Sequence, residues 1–225
     1  MKINKIFIFY SLFLIVFLSI FFFDLKKEDF LFFLDFMDKL KEKSLIILIF
    51  FLILISILVS LIGFCIPVLF INGMILGGIW GAFISLISLT TGSYIFFLFN
   101  NKNFSKKILK PYQNKFKTLR KFITKNLLLS LIFIRAFGFG LPFIAHNLLP
   151  IFLKANKKTF LLSTFIGLIP LTAQSFFADG ITNFFISENN DIKSFFFQKD
   201  IIVPIIIIFV TIILSIFFKH KFLKK

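Results

Sequence analysis

Long apolar runs separated by short charged segments make up this chain, and the runs predict its elements. The apolar stretches are Ile6–Phe23, Leu45–Phe99, Asn126–Leu153, Thr159–Ala178 and Ile201–Phe218. Within the last four, the one charged residue is Arg135. A helix needs about 20 apolar residues to cross about 30 Å of hydrocarbon. Ile6–Phe23, Thr159–Ala178 and Ile201–Phe218 therefore predict one span each. Lys2 and Lys5 ahead of Ile6–Phe23 give it the look of a signal peptide. The run is long, however, and no small-x-small cleavage site precedes Asp24, so an uncleaved first span is expected.

The charged segments divide by sign. All ten acidic residues lie in Asp24–Glu42 and Asp179–Asp200. The other segments are basic alone: Lys2 and Lys5; Lys102–Lys125, with nine; Lys154, Lys157 and Lys158; and Lys219–Lys225. The positive-inside rule makes these four cytoplasmic, with both termini inside, and the two acid-containing loops external. Parity then constrains the remaining runs. Asn126–Leu153 starts and ends inside but is too short for two full passes and a turn, which predicts a re-entrant hairpin. Leu45–Phe99 starts outside and ends inside. It is too long for one pass and leaves no turns for three, so it fits a hairpin from the outside followed by one full span. Leu45–Ile62 is long for half a hairpin and is expected to lie partly along the interface.

Each hairpin has a break. Gly63-Phe64-Cys65-Ile66-Pro67 interrupts the first and Gly138-Phe139-Gly140-Leu141-Pro142 the second. Proline lacks the N–H donor and clashes with the preceding turn, so neither run continues smoothly as a helix. Irregular backbone at membrane depth is tolerated only where protein or water covers it. The breaks share one pattern, Gly-Phe-x-Ile/Leu-Pro, running on to Asn72 and Asn147 at the same spacing. The offset that carries Gly63 onto Gly138 also pairs Leu86 with Leu161, Ser88 with Ser163 and Gly92 with Gly167. With the first copy opening outward and the second inward, this is an inverted-topology repeat. The expected fold is an all-α integral membrane protein, an inverted repeat of re-entrant hairpin plus transmembrane helix with flanking transmembrane helices. Residues 1–44 hold the first span and an external amphipathic segment, with Phe30–Lys43 an interfacial helix. Residues 45–180 hold the repeat, and 181–225 an external loop, a span and a basic tail.

Composition narrows the function. The chain is 59% hydrophobic, too apolar for a soluble domain of this size. A net charge of +16 suggests nucleic acid in a soluble protein, but here the lysines flank apolar runs and serve topology and anionic headgroups. The forty phenylalanines, beside so much Ile, Lys and Asn, reflect biased codon usage. Cys65 alone builds no disulfide, zinc cluster or redox pair. With two histidines and no carboxylate inside the repeat's apolar runs, neither a metal site nor an acid–base pair is expected, so the chain reads as no enzyme and as having no cofactor.

Gly63 to Gly92, with Pro67, the Asn72-Gly73…Gly77-Gly78…Gly81 series and Gly92-x-x-x-Phe96, resembles the first half of a VTT domain. Arg135 followed by Gly138, Pro142 and Asn147, then Thr164-x-x-Gly167-x-x-Pro170, resembles the second. This is the SNARE-associated Golgi protein or DedA superfamily, and the likeness covers about Leu45 to Asp179. It implies two facing re-entrant hairpins, residence in the plasma (inner) membrane and movement of lipids between leaflets. In bacterial members these lipids are thought to include undecaprenyl phosphate or phosphatidylethanolamine. Two departures stand out. Asn100 and Asn101 occupy the place of the arginine that often follows Gly-x-x-x-Phe, and the first hairpin lacks the membrane acidic residue of the DedA branch.

Arg135 lies about ten residues beyond Lys125, which at 1.5 Å per residue is about 15 Å into the membrane. Its charge there costs about 2.5–3.5 kcal/mol on insertion scales. One reading pairs its planar fork with a lipid phosphate; the other makes it a clamp on carbonyls at the break. The half-helices after Pro67 and Pro142 aim amide groups and positive dipole ends at the same depth. Asn72 and Asn147 sit too far past the prolines to cap them and are expected to bond across the hairpin contact. The candidate substrate-binding set is Arg135, Pro142, Asn147, Pro67, Asn72, Gly138 and Gly140. The expected function is a transporter or scramblase of anionic-headgroup lipids, with membrane lipids as partners and no nucleic acid. A small-anion transporter and a non-transporting membrane organiser are the alternatives. The Gly73, Gly77, Gly78, Gly81 series is expected to pack against the facing hairpin, with a homo-oligomer contact as the alternative.

Overall fold

The computed structural model describes residues 27–102, 123, 126–138, 141–186, 201–211 and 213, and all regular structure among them is helical. The expected first span, most of the basic segment 103–125, Gly140 and the basic tail lie outside the described residues.

Helix α1 covers Lys27–Ile62 and kinks at Ser44, whose backbone is extended (φ −166°, ψ 92°). The Ser44 hydroxyl accepts from the Ile47 amide at 3.4 Å and restarts the helix there. Ahead of the kink the helix is amphipathic. Lys39 and Lys41 pair with Asp35 and Asp38 on its exposed side, while Leu34 packs with Met74 and Ala178. After the kink, Leu48, Leu52, Ser56 and Ser60 are buried at a spacing of four. Ile46, Ile47, Phe50, Phe51 and Leu54 face outward.

Gly63 ends α1 in the left-handed region (φ 101°), a conformation that only glycine adopts without strain. Helix α2, Ile66–Leu76, restarts with Pro67 in its first turn, where a missing N–H costs nothing. Gly77 turns the chain into α3, Gly78–Lys102. The second half begins with α4, Leu127–Phe137, capped by the Asn126 side chain and ended by Gly138 at φ 69°. Helix α5, Phe143–Phe152, follows Pro142. Helix α6, Lys157–Leu168, is capped by Asn156. A 3-10 turn at Ile169–Thr172 then bends it into α7, Ala173–Ile186. A last apolar helix, α8, covers Ile201–Thr211.

The span expected at Thr159–Ala178 is longer than the sequence suggests. Helix α7 runs through Asp179 to Ile186 because the carboxylate is held rather than released to water. Its Oδ2 accepts from the Gly78 backbone N–H at 2.8 Å, and its Oδ1 from the Asn183 side-chain Nδ2 at 3.3 Å. Asp179 thus meets the positive end of α3, from far away in sequence.

Among the described residues three helices are long and apolar enough to cross a membrane: Leu34–Leu61, Gly78–Asn100 and Lys157–Ile186. Helices α2 and α4 have 11 residues each and α5 has 10, about 15–16 Å of rise, half of what a crossing needs. The surface is inverted relative to a protein folded in water. Ile79, Trp80, Phe83, Phe165 and Ile166 are exposed, whereas Ser56, Ser60, Asn72, Ser85, Ser88, Arg135 and Asn147 are buried. Such an apolar exterior suits lipid tails, and small and polar side chains join the helices inside.

Helix α3 is central, touching α1, α2, α5, α6 and α7. Close approach rests on glycine at several crossings. A Cβ on Gly92 would strike the Ser60 hydroxyl and the Ile57 carbonyl of α1. One on Gly167 would strike the Arg135 side chain and, at 3.2 Å, the Ile132 carbonyl of α4. Gly73 lies against the Ser175 backbone, Gly78 against Phe176 and Gly81 against the Asn72 carbonyl, so these glycines are used inside the molecule. The two breaks also meet. Gly63 abuts Ile144 at the start of α5, and Phe143 packs with Val68, Leu69, Leu89 and Leu168.

Candidate functional site

Helix α4 delivers Arg135 in its last turn, two residues before the helix ends at Phe137. The side chain is only 2% exposed. Its Nη1 donates to Asn147 Oδ1 at 2.9 Å and its Nη2 to the His146 carbonyl at 3.1 Å. The guanidinium carbon lies 5.5 Å from the Phe160 ring centre, within cation–π range. These bonds occupy two of the five N–H donors of the guanidinium.

The His146 carbonyl is free for Arg135 for a reason written in the helix. A carbonyl in an α-helix normally accepts from the amide four residues on. Here that residue is Pro150, which has no N–H. The proline thus leaves a buried acceptor that the guanidinium satisfies. His146 also fastens the break itself. Its Nε2 lies 2.9 Å from the Gly138 carbonyl, and since a carbonyl only accepts, Nε2 carries the proton. Nδ1 of His146 and Nδ2 of Asn147 are buried without a hydrogen-bond partner among the described residues.

No carboxylate among the described residues pairs with Arg135; the two ion pairs there, Lys39–Asp35 and Lys41–Asp38, are on α1. Among the described residues its charge is met by an amide oxygen, a backbone carbonyl and a ring face. Among the described residues no three His, Cys, Asp or Glu side chains are grouped to hold a metal ion.

The structure gathers Arg135, Asn147, Gly138 and Pro142 at the second break, while Gly140 is outside the described residues. Asn72 is elsewhere. Its Nδ2 donates to Ser85 Oγ at 2.8 Å and lies 3.2 Å from Ser56 Oγ, tying α2 to α3 and α1. Pro67 stands in the first turn of α2, five residues before Asn72. Thr172 turns its hydroxyl back on the Ile169 carbonyl. Two residues escape sequence reasoning. Pro150 is legible as a proline four residues after His146, whereas Asp179 reads in the sequence as the start of a loop.

Comparison of the chain with protein-family models, with curated proteins and with solved structures finds no match in any of the three. Fold and surface define the class: among the described residues the regular structure is all helical, with three helices long and apolar enough to cross a membrane.

Proposed function

We propose that the chain moves anionic-headgroup lipids between membrane leaflets, with Arg135 receiving the headgroup phosphate. The observation that carries this reading is an asymmetry between matching positions. Helix α1 ends at Ile62 and α4 at Phe137, each followed by a positive-φ glycine, Gly63 and Gly138. The offset between those two glycines also carries Gly92 onto Gly167, and each of these meets its neighbour in the same way. Gly92 faces Ser60 and the Ile57 carbonyl; Gly167 faces Arg135 and the Ile132 carbonyl, at that same offset. These correspondences support two copies of one unit, inserted from opposite faces as the charged segments suggest. At the place of Arg135 the first copy has Ser60, whose hydroxyl is satisfied by its own helix at the Ile57 carbonyl, 2.7 Å away. The helix crossing therefore works without a charge. A guanidinium kept there at a cost of a few kcal/mol is what a headgroup site needs.

The reading extends to topology, with both termini cytoplasmic and no enzymatic step: the headgroup crosses between the two breaks while its tails stay in lipid. Arg135→Ser copies the other half, so the helices should still pack while exchange of a fluorescent anionic lipid in proteoliposomes falls to the protein-free rate. Exchange at the wild-type rate would sink the proposal. The near-complete burial of Arg135 favours one second reading, a carrier of small anions. Phosphate flux without lipid exchange in the same vesicles selects it.

A further inference from the structure

A polar layer crosses the bundle between two apolar ones. In the first apolar cluster Leu89 of α3, Phe143 of α5 and Leu168 of α6 pack together. In the second, Phe97 of α3, Ile151 of α5 and Phe160 of α6 do so, with the Phe97 and Phe160 rings stacked 4.3 Å apart. Each helix passes from one cluster to the other in about two turns, a rise of about 12 Å. Residues four apart lie on one helix face, so the positions halfway are Ser93, Asn147 and Thr164. All three are buried, at 0%, 1% and 0% exposure. Arg135 joins the layer from α4 through its bond to Asn147.

Hydrogen bonding in this layer is one-sided. Thr164 Oγ1 donates to its own helix at the Phe160 carbonyl, 2.7 Å away. Asn147 Oδ1 is taken by Arg135. Ser93 Oγ and Asn147 Nδ2 have no hydrogen-bond partner among the described residues. The capacity left over is a hydroxyl, an amide N–H₂ and the remaining N–H groups of a cation. Buried donors without acceptors are costly, and their complement is an anion rich in acceptor oxygens.

We infer that Ser93, Asn147 and Arg135 form a subsite for one tetrahedral phosphate group, Ser93 Oγ and Asn147 Nδ2 donating to oxygens that the guanidinium leaves free. This deepens the lipid-moving reading and rests on it only for the source of the phosphate, since a headgroup and free phosphate present the same oxygens. The test titrates the full-length protein in mild detergent with inorganic phosphate, dioctanoyl phosphatidic acid and dioctanoylglycerol, following thermal stability. Wild type should be stabilised by the phosphate-bearing probes and not by dioctanoylglycerol. Ser93→Ala removes a hydroxyl that nothing satisfies. It should melt no lower than wild type without ligand, yet bind phosphate about tenfold more weakly. Asn147→Asp supplies Arg135 with a carboxylate and should abolish the response while the protein stays folded. A response to the lipid alone supports the subsite as a headgroup site. A response to inorganic phosphate alone supports the subsite and removes the lipid reading. Unchanged affinity in Ser93→Ala, where Arg135→Ser has lost it, overturns the subsite and leaves the lipid reading standing. A lower melting point or failure to fold in Ser93→Ala shows a structural partner for the hydroxyl and also overturns it. No response to any probe overturns both.

Discussion

The two hydrogen bonds that hold Arg135 have different origins. One goes to a side chain, Asn147; the other exists because Pro150 deprives the His146 carbonyl of its helical donor. This yields a coupling prediction. Arg135→Ala leaves that carbonyl buried and unpaired, which costs about 1–3 kcal/mol. In a Pro150→Ala background the residue-150 amide satisfies the carbonyl instead. The cost of Arg135→Ala should then be smaller by about 1 kcal/mol, read as a double-mutant cycle of unfolding in detergent. Additive effects would break the assignment. Asn72 offers a comparison without charge. Its bonds to Ser56 and Ser85 lie inside the bundle, where interhelical hydrogen bonds average about 0.6 kcal/mol and reach about 1.7 kcal/mol. Asn72→Ala should therefore lower stability by about 1 kcal/mol and leave phosphate binding unchanged. Arg135 was legible because a charge in an apolar run is rare. Ser93 was not, since a serine is ordinary until the described helices around it leave its hydroxyl without a partner.

Among elements, the crossings of α1 with α3 and of α4 with α6 are set by volume at one position each. Gly92 and Gly167 leave room for a side chain and a carbonyl of the opposite helix, so Gly92→Leu and Gly167→Leu should each force the pair apart. Loss of the monodisperse peak in size-exclusion chromatography would report it, and a normal peak with wild-type melting would contradict the packing. The breaks respond differently. Gly63 and Gly138 both have positive φ, but a Cβ on Gly63 would meet Ile144 Cβ at 2.9 Å, whereas one on Gly138 meets nothing within 4 Å. Gly138→Ala should cost about 1 kcal/mol from backbone strain alone, and Gly63→Ala more, compared by thermal melting. The positions of the breaks were legible because proline and glycine act on their own segment. The end of α7 was not, because Asp179 is held by an amide far away in sequence.

For the molecule as a whole, the division of acidic and basic segments is a statement about sides of a membrane. Single cysteines in a Cys65→Ser background test it. A cysteine at Lys43, exposed just ahead of the kink in α1, should react with an impermeant maleimide in intact cells. One at Lys157, exposed at the start of α6, should react only after permeabilisation. Labelling of both from one side would invert or remove the proposed facing arrangement. Leu34–Leu61 bears on the same point, since it has the length to cross by itself where the sequence predicts half a hairpin.

Hydrophobic patterning alone determined that this chain forms helices apolar enough to cross a membrane, where those helices break and which charge lies inside the fold. Those properties follow from the solvation of each segment by lipid or water and from the backbone limits of glycine and proline. Tertiary structure alone decided that α3 is central, that the two breaks touch, that Arg135 bonds Asn147, and that Ser93 and Asn147 each lie halfway between the same two apolar clusters. Which buried donors face one another depends on how separate helices cross, and in lipid those crossings are chosen by steric fit and hydrogen bonds between distant residues rather than by any local preference of the chain.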